Sequence, residues 1–119
     1  MSRKNLLKDF PSILAGDMSQ VSIVGIATSI AQFDLASYTF SWTGGAATNG
    51  NIGIEYSLDN VVWHSLDFKT TIPTDTASGS HQLLITEITF PYARPRYDQV
   101  NGASTGTLKV ELSCSTKGA

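Results

Sequence analysis

The chain has a single cysteine, Cys114, so no disulfide can form within it. Cys114 alternates with Val110 and Leu112, the position of a small buried hydrophobe rather than of a reactive thiol. Charged residues make up only 15% of the 119 positions, against about 25% in an ordinary domain. The net charge of −2 supplies no broad basic face, which weighs against nucleic acid as a partner. No apolar run approaches the roughly 20 residues needed to cross a bilayer, so no membrane is expected. Met1 to Leu7 opens like a signal peptide, but Lys8, Asp9 and Pro11 interrupt the apolar stretch that would have to follow. Synthesis in the cytoplasm is the expectation. Helical periodicity is also scarce, limited to a short turn near residues 5–10 that Pro11 ends.

Catalytic signals are equally thin. His64 and His81 stand far apart with no metal-ligand spacing. Asp59, Asp67 and Asp75 fall in turns and loops and do not form the Asp-x-Asp-x-Asp cluster that would argue for calcium. No serine occupies a Gly-x-Ser-x-Gly elbow. Asn101-Gly102 and Gly106 read as turns, because no helix follows to complete a phosphate cradle. The expectation is therefore a non-enzyme with no catalytic residues, no cofactor and no metal.

What the chain does have is strands. Tyr38, Phe40 and Trp42 alternate with Thr39, Ser41 and Thr43, the period-2 signature of a half-buried strand. Residues 20–28, 52–57, 61–68, 82–90 and 108–112 also read as strands, and 92–97 as an irregular edge after Pro91, separated by Gly, Asn, Asp, Ser and Pro clusters. About seven or eight strands at such spacing predict an all-β fold, an antiparallel β-sandwich of jelly-roll type. A chain of this length buries roughly two-thirds of its unfolded surface and can sustain one core. Residues 1–18 hold three of the eight basic residues, Arg3, Lys4 and Lys8, and read as an extended N-terminal arm outside a sandwich of residues 19–119.

Two segments stand out. Residues 54–66 form a hairpin in which Tyr56 and Trp63 are large anchors near an Asp59-Asn60 turn that tolerates positive φ. Both aromatics are expected to fill the core; an exposed platform for a sugar ring or a partner side chain is the other reading. In residues 89–97, Arg94 and Arg96 share one face of an extended segment. They are either partner-binding forks or solvated charges on an edge strand where Pro95 blocks further pairing.

The order of several fragments resembles a known group. Trp42-Thr43-Gly44, Gly50-Asn51-Ile52, Tyr56-Ser57-Leu58-Asp59-Asn60-x-x-Trp63-x-x-Leu66, Phe90-Pro91-Tyr92-Ala93-Arg94 and Gly106-Thr107-Leu108-Lys109-Val110 follow one another as in small virion proteins of tailed phages. That group reads approximately W-T-G, G-x-I/F-x-V, S-x-D-G-x-x-W-x-x-L, P-F/Y-x-x-x-R and G-T-L. The chain looks like the capsid decoration, or cement, type; the departures are Asn60 where glycine is usual, and Pro95. The resemblance implies a non-enzymatic protein on the capsid surface of the virion, with the major capsid protein as partner and self-association as a dimer or trimer. The arm would then order on the capsid through Leu6, Leu7, Phe10 and Ile13, with Arg94 and Arg96 at the sandwich edge. A small tail structural protein is a related alternative. Tyr56-Ser57-x-Asp59, Trp63, Arg94-x-Arg96-Tyr97 and Leu108 to Cys114 are also similar to discoidin-type domains, which bind sugars or lipid headgroups at loop tips. Those domains usually close their termini with two cysteines, and here there is only Cys114.

Overall fold

The computed structural model describes residues 7–44, 50–72, 78–86, 88–99 and 105–116, with the side chains of 7–8 and 66–72 outside that description. All regular structure within them is β: β1 (Leu7–Asp17), β2 (Ser22–Val24), β3 (Thr28–Ser29), β4 (Leu35–Thr43), β5 (Gly50–Ser57), β6 (His64–Ile72), β7 (Gly79–Ile85), β8 (Tyr92–Gln99) and β9 (Thr107–Ser115). They build two antiparallel sheets packed as a sandwich. One runs β1-β9-β4-β7; the other runs β2-β8-β5-β6, with β3 also on β8.

Alternation explains the packing. On β4 the even positions Ala36, Tyr38, Phe40 and Trp42 are buried, and on β9 so are Leu108, Val110, Leu112 and Cys114. From the opposing sheet, β5 contributes Ile52 and Ile54, and β8 contributes Ala93 and Tyr97. Met18, Ile30, Phe33 and Phe90 enter from the connections and close the ends of the same cluster. Cys114 is completely buried, as its alternation predicts, and burial first, then the nearby Asp9 charge, pushes its thiol pKa up to about 11. The thiolate that oxidation or metal binding needs is thus scarce at neutral pH.

Three expectations require correction. Residues 7–17 are not an arm outside the sandwich; they are edge strand β1, paired with β9 from Leu7↔Ser115 to Asp17↔Thr107. Pro11 is accommodated because β1 shifts register twice, between Pro11 and Ile13 and between Ile13 and Gly16. The run 82–90 stops pairing at Ile85, and Phe90 turns into the core beside the Pro91 carbonyl, which accepts a bond from Ile30 N–H. The run 20–28 splits into β2 and β3, and the cause lies on the neighbouring strand.

That cause is Pro95. It sits in β8, an interior strand between β5 and β2, opposite Ile54, rather than on a sheet edge. Its carbonyl accepts the Gly25 N–H at 2.9 Å. A strand residue presents its C=O and N–H to the same side, so the donor that proline lacks is missing toward Gly25 alone. The ladder is broken there, and the register slips by one residue between β2 and β3. Ile26 N–H then bonds the Ser12 carbonyl of β1 at 3.0 Å, stitching the two sheets at one corner. Gly25 is required at this crossing, because a Cβ would lie 2.5 Å from the Pro95 ring.

Deletion of residues 1–18 should cost far more than an arm would. It removes β1 together with the buried Ile13 and Met18, and each such core loss is worth about 2–5 kcal/mol against a total of about 5–15 kcal/mol. Urea unfolding of the truncated chain should lack the cooperative transition of the full chain; an unchanged midpoint would show that β1 is dispensable.

Candidate functional site

On β5 and β8 the inward residues alternate with polar ones that form the outer face of the second sheet. Glu55 lies directly opposite Arg94, and Gly53 opposite Arg96, so both guanidinium groups reach one carboxylate. Arg94 Nε donates to Glu55 Oε1 at 2.9 Å and Arg96 Nη1 to Glu55 Oε2 at 3.3 Å. Arg96 Nε also donates to both Asp98 carboxylate oxygens at 3.1 Å. The Glu55 side chain is only 8% exposed, while the arginines retain 22% and 34%. Partial burial opposes the Arg96 charge, but hydrogen bonding and attraction from Asp98, then Glu55, outweigh it and hold its pKa above the usual arginine value.

Trp63 completes this face. The Arg94 guanidinium carbon stands 4.0 Å from the centroid of the half-buried indole, a cation–π stack. Tyr56 behaves differently, stacking on Phe90 at 4.6 Å between ring centroids and packing against the core. Of the two anchors expected in the core, Tyr56 joins it and Trp63 covers an arginine on the outside.

Between Tyr56 and Trp63 the hairpin connection is clamped from within. Ser57 Oγ accepts the Asp59 and Asn60 N–H groups at 3.2 and 2.9 Å, and donates to Asp59 Oδ1 at 3.0 Å. Asp59 Oδ1 in turn accepts the Val61 and Val62 N–H groups at 3.0 and 2.9 Å. Asn60 takes φ 61°, the left-handed conformation its side chain tolerates best after glycine. The Val62 N–H first, then the Val61 N–H and the Ser57 hydroxyl, hold the Asp59 pKa below its usual 3.8. These bonds hold the loop in a conformation that points Leu58, Val61 and Val62 outward at 70%, 77% and 55% exposure. Reading Val61 to Phe68 as a strand concealed this tip; the available signal was Ser57-x-Asp59 with Asn60, a side-chain-capped turn.

The remaining sequence candidates fall elsewhere. Ile13 is core, and Phe10 is half-buried, edge-on to Phe33 with centroids 6.1 Å apart. Both pack against the core, Ile13 fully and Phe10 in part. Leu7 pairs with Ser115, and Leu6 lies outside the described residues. Arg94 and Arg96 sit on an interior strand with carboxylates already bound, not on a bare edge. Asp75 lies outside the described residues, as does the side chain of Asp67. Among the described residues no group of three or more His, Cys, Asp or Glu side chains could hold a metal ion, and no helix is long and apolar enough to cross a membrane.

No family model matches the chain, and no curated protein matches it. Among solved structures, the chain is similar to the crystal structure of dimeric latent PorU from Porphyromonas gingivalis, with 9% identity and a TM-score of 0.47. The alignment covers 95% of this chain and 13% of that one. A likeness so distant transfers neither fold nor function.

This geometry sets testable outcomes for three side chains, Arg94, Glu55 and Asp59. Arg94→Ala should uncover Trp63 and shift its emission to the red while the buried Trp42 contribution stays; Glu55→Gln should lower stability by about 1–3 kcal/mol, because two guanidinium groups lose their carboxylate. Unchanged emission in Arg94→Ala would remove the stack from the solution structure. For Asp59, whose folded pKa is depressed, the clamp contributes stability above the unfolded value of 3.8. That stability is lost as pH falls through the lower folded value. Carboxyl NMR titration should place Asp59 below 3.8, and Asp59→Ala should flatten the acid limb of the stability profile.

Proposed function

We propose that this protein is a non-enzymatic structural component of a phage virion, docking on the capsid exterior and reinforcing contacts between neighbouring capsid proteins. The observation that carries this reading is the clamped tip: three aliphatic side chains held out to solvent by a hydrogen-bonded loop. Exposed apolar groups are costly to keep apart from a partner, and a preorganised loop loses little entropy on docking. The order of the motifs along the chain supplies the kind of partner, the major capsid protein.

We further infer that the sandwich is a jelly roll. Taking β2 and β3 as halves of one interrupted strand, the sheet orders β1-β9-β4-β7 and β2/β3-β8-β5-β6 wrap as two Greek keys, an architecture shared by viral capsid and lectin domains. A sugar-binding role fits less well, since Trp63, the ring such a site would use, already has a guanidinium over its face.

Co-sedimentation with mature shells of the phage that carries the gene tests the docking. Each aliphatic side chain buried at the contact contributes about 1.5 kcal/mol or more, roughly tenfold in affinity. Changing Leu58, Val61 and Val62 together to Ser should therefore abolish binding without unfolding the chain. Wild-type protein that stays in the supernatant would overturn the capsid reading; binding that survives the triple change would move it off this loop.

A further inference from the structure

A sheet edge is a row of unpaired backbone donors and acceptors, and proteins blunt it with charges, proline, bulges or very short strands. The four terminal strands of this sandwich are not treated alike. β1 carries Lys8, Asp9 and Pro11 and two register shifts. β2 is three residues long and is broken from β3. β6 contains Asp67 and Lys69, and its pairing with β5 shifts register twice. β7 has none of these devices. Gly79–Ile85 contains no acidic residue, lysine, arginine or proline, and it pairs with β4 in unbroken register from Ala36↔Ile85 to Trp42↔Gly79. Its other edge has no neighbour among the described residues.

We infer that β7 is a self-association surface, pairing antiparallel with β7 of a second copy across a two-fold axis to join the two β1-β9-β4-β7 sheets into one. Antiparallel self-pairing needs no second surface and closes as a dimer, so neither a trimer nor an open fibre arises from it. The chemistry suits a copy of the same chain. With the axis near Gln82, Gln82 faces its own counterpart on the outer face of the sheet, and Ser80 faces Leu84. Nowhere along the strand does one charge meet its like, although each chain carries a net −2.

Beside the edge, Leu84, 66% exposed, lines an open groove of about 270 Å³ with Leu35, Ser37, Ser113 and Ser115. No charged residue lines it, so the uncharged contact continues from the edge onto the sheet face. Seven residues of strand span about 23 Å, a contact at the small end of specific interfaces. The dimer is therefore reversible and concentration-dependent.

Light scattering on the purified full chain, over a concentration series and with no shells present, reads this directly. The mass should rise from 12.8 kDa toward twice that value. Gln82→Lys and Leu84→Lys, both at exposed positions, should hold it at the monomer value with the circular dichroism unchanged. As a second reading, Gln82→Cys should give a disulfide-linked dimer on mild oxidation while Val21→Cys, at the β1–β2 corner, stays largely monomeric; buried Cys114 should not react in either. A wild type that remains monomeric throughout, or a dimer that withstands both lysine changes, overturns the inference. Because the 58–62 loop takes no part, a failed dimer leaves the docking proposal standing, and failed docking leaves the dimer.

Discussion

Ala36, Tyr38, Phe40 and Trp42 on β4 lie directly opposite Cys114, Leu112, Val110 and Leu108 on β9, and all eight are buried. This register is the constraint on which the rest of the molecule depends. Slipping either strand by one residue would turn its four buried side chains to solvent and bring its polar residues inward, Thr39 and Ser41 on β4 or Lys109 and Glu111 on β9. The two strands come from distant parts of the chain, and each supports a further neighbour: β1 hangs on the free side of β9, and β7 on the free side of β4. Long-range pairing of this kind loses loop-closure entropy before its own contacts form, so a sheet built on it is intrinsically slow to assemble.

The seam carries a cost. The Tyr38 hydroxyl and the Trp42 indole N–H are buried on it with no hydrogen-bond partner, and so is the Ser12 hydroxyl on β1. Burial is the main reason the Tyr38 phenol is driven above its ordinary pKa. Each orphaned group gives up about 1–3 kcal/mol of desolvation, offset here by the apolar area of two large rings. The opposing sheet handles polarity in another way, placing it outside, where Glu55 gathers two guanidinium groups and Arg94 covers Trp63. The second sheet also places an aromatic in the core, Tyr97, but there the buried hydroxyl donates to the Met18 carbonyl at 3.2 Å.

How much of this was legible in the sequence follows from the same contrast. Strict alternation marked β4 and β9, the turn at Asn60 was visible in its composition, and burial of Cys114 followed from its phase with Val110 and Leu112. β1 was illegible because Lys8, Asp9 and Pro11 read as a break, whereas a strand held on one side with two bulges admits all three. Pro95 misled for a related reason: proline signals an edge only when its missing donor faces open water, and here it faces a gap in the neighbouring strand. The inward packing of Phe10 and Ile13 was hidden for the same reason: with β1 unrecognised, apolar residues near the N-terminus have no core to belong to.

The spacing Ser57-x-Asp59-Asn60-x-x-Trp63 has a physical account that owes nothing to any partner. Ser57 and Asp59 bind the loop's own N–H groups, Asn60 supplies the positive φ, and Trp63 lies against Arg94. Every specified position is thus engaged within the chain, by the clamp or by Arg94. The unspecified positions are Leu58, Val61 and Val62, and these are the ones that reach solvent. A motif of this form therefore fixes how a tip is presented and leaves open what the tip recognises. Three aliphatic side chains at the open positions, where Ser or Lys would be equally compatible with the clamp, are a choice the fold does not require. That surplus apolarity is the part of the motif on which a binding function can act, while the resemblance in spacing belongs to the hairpin.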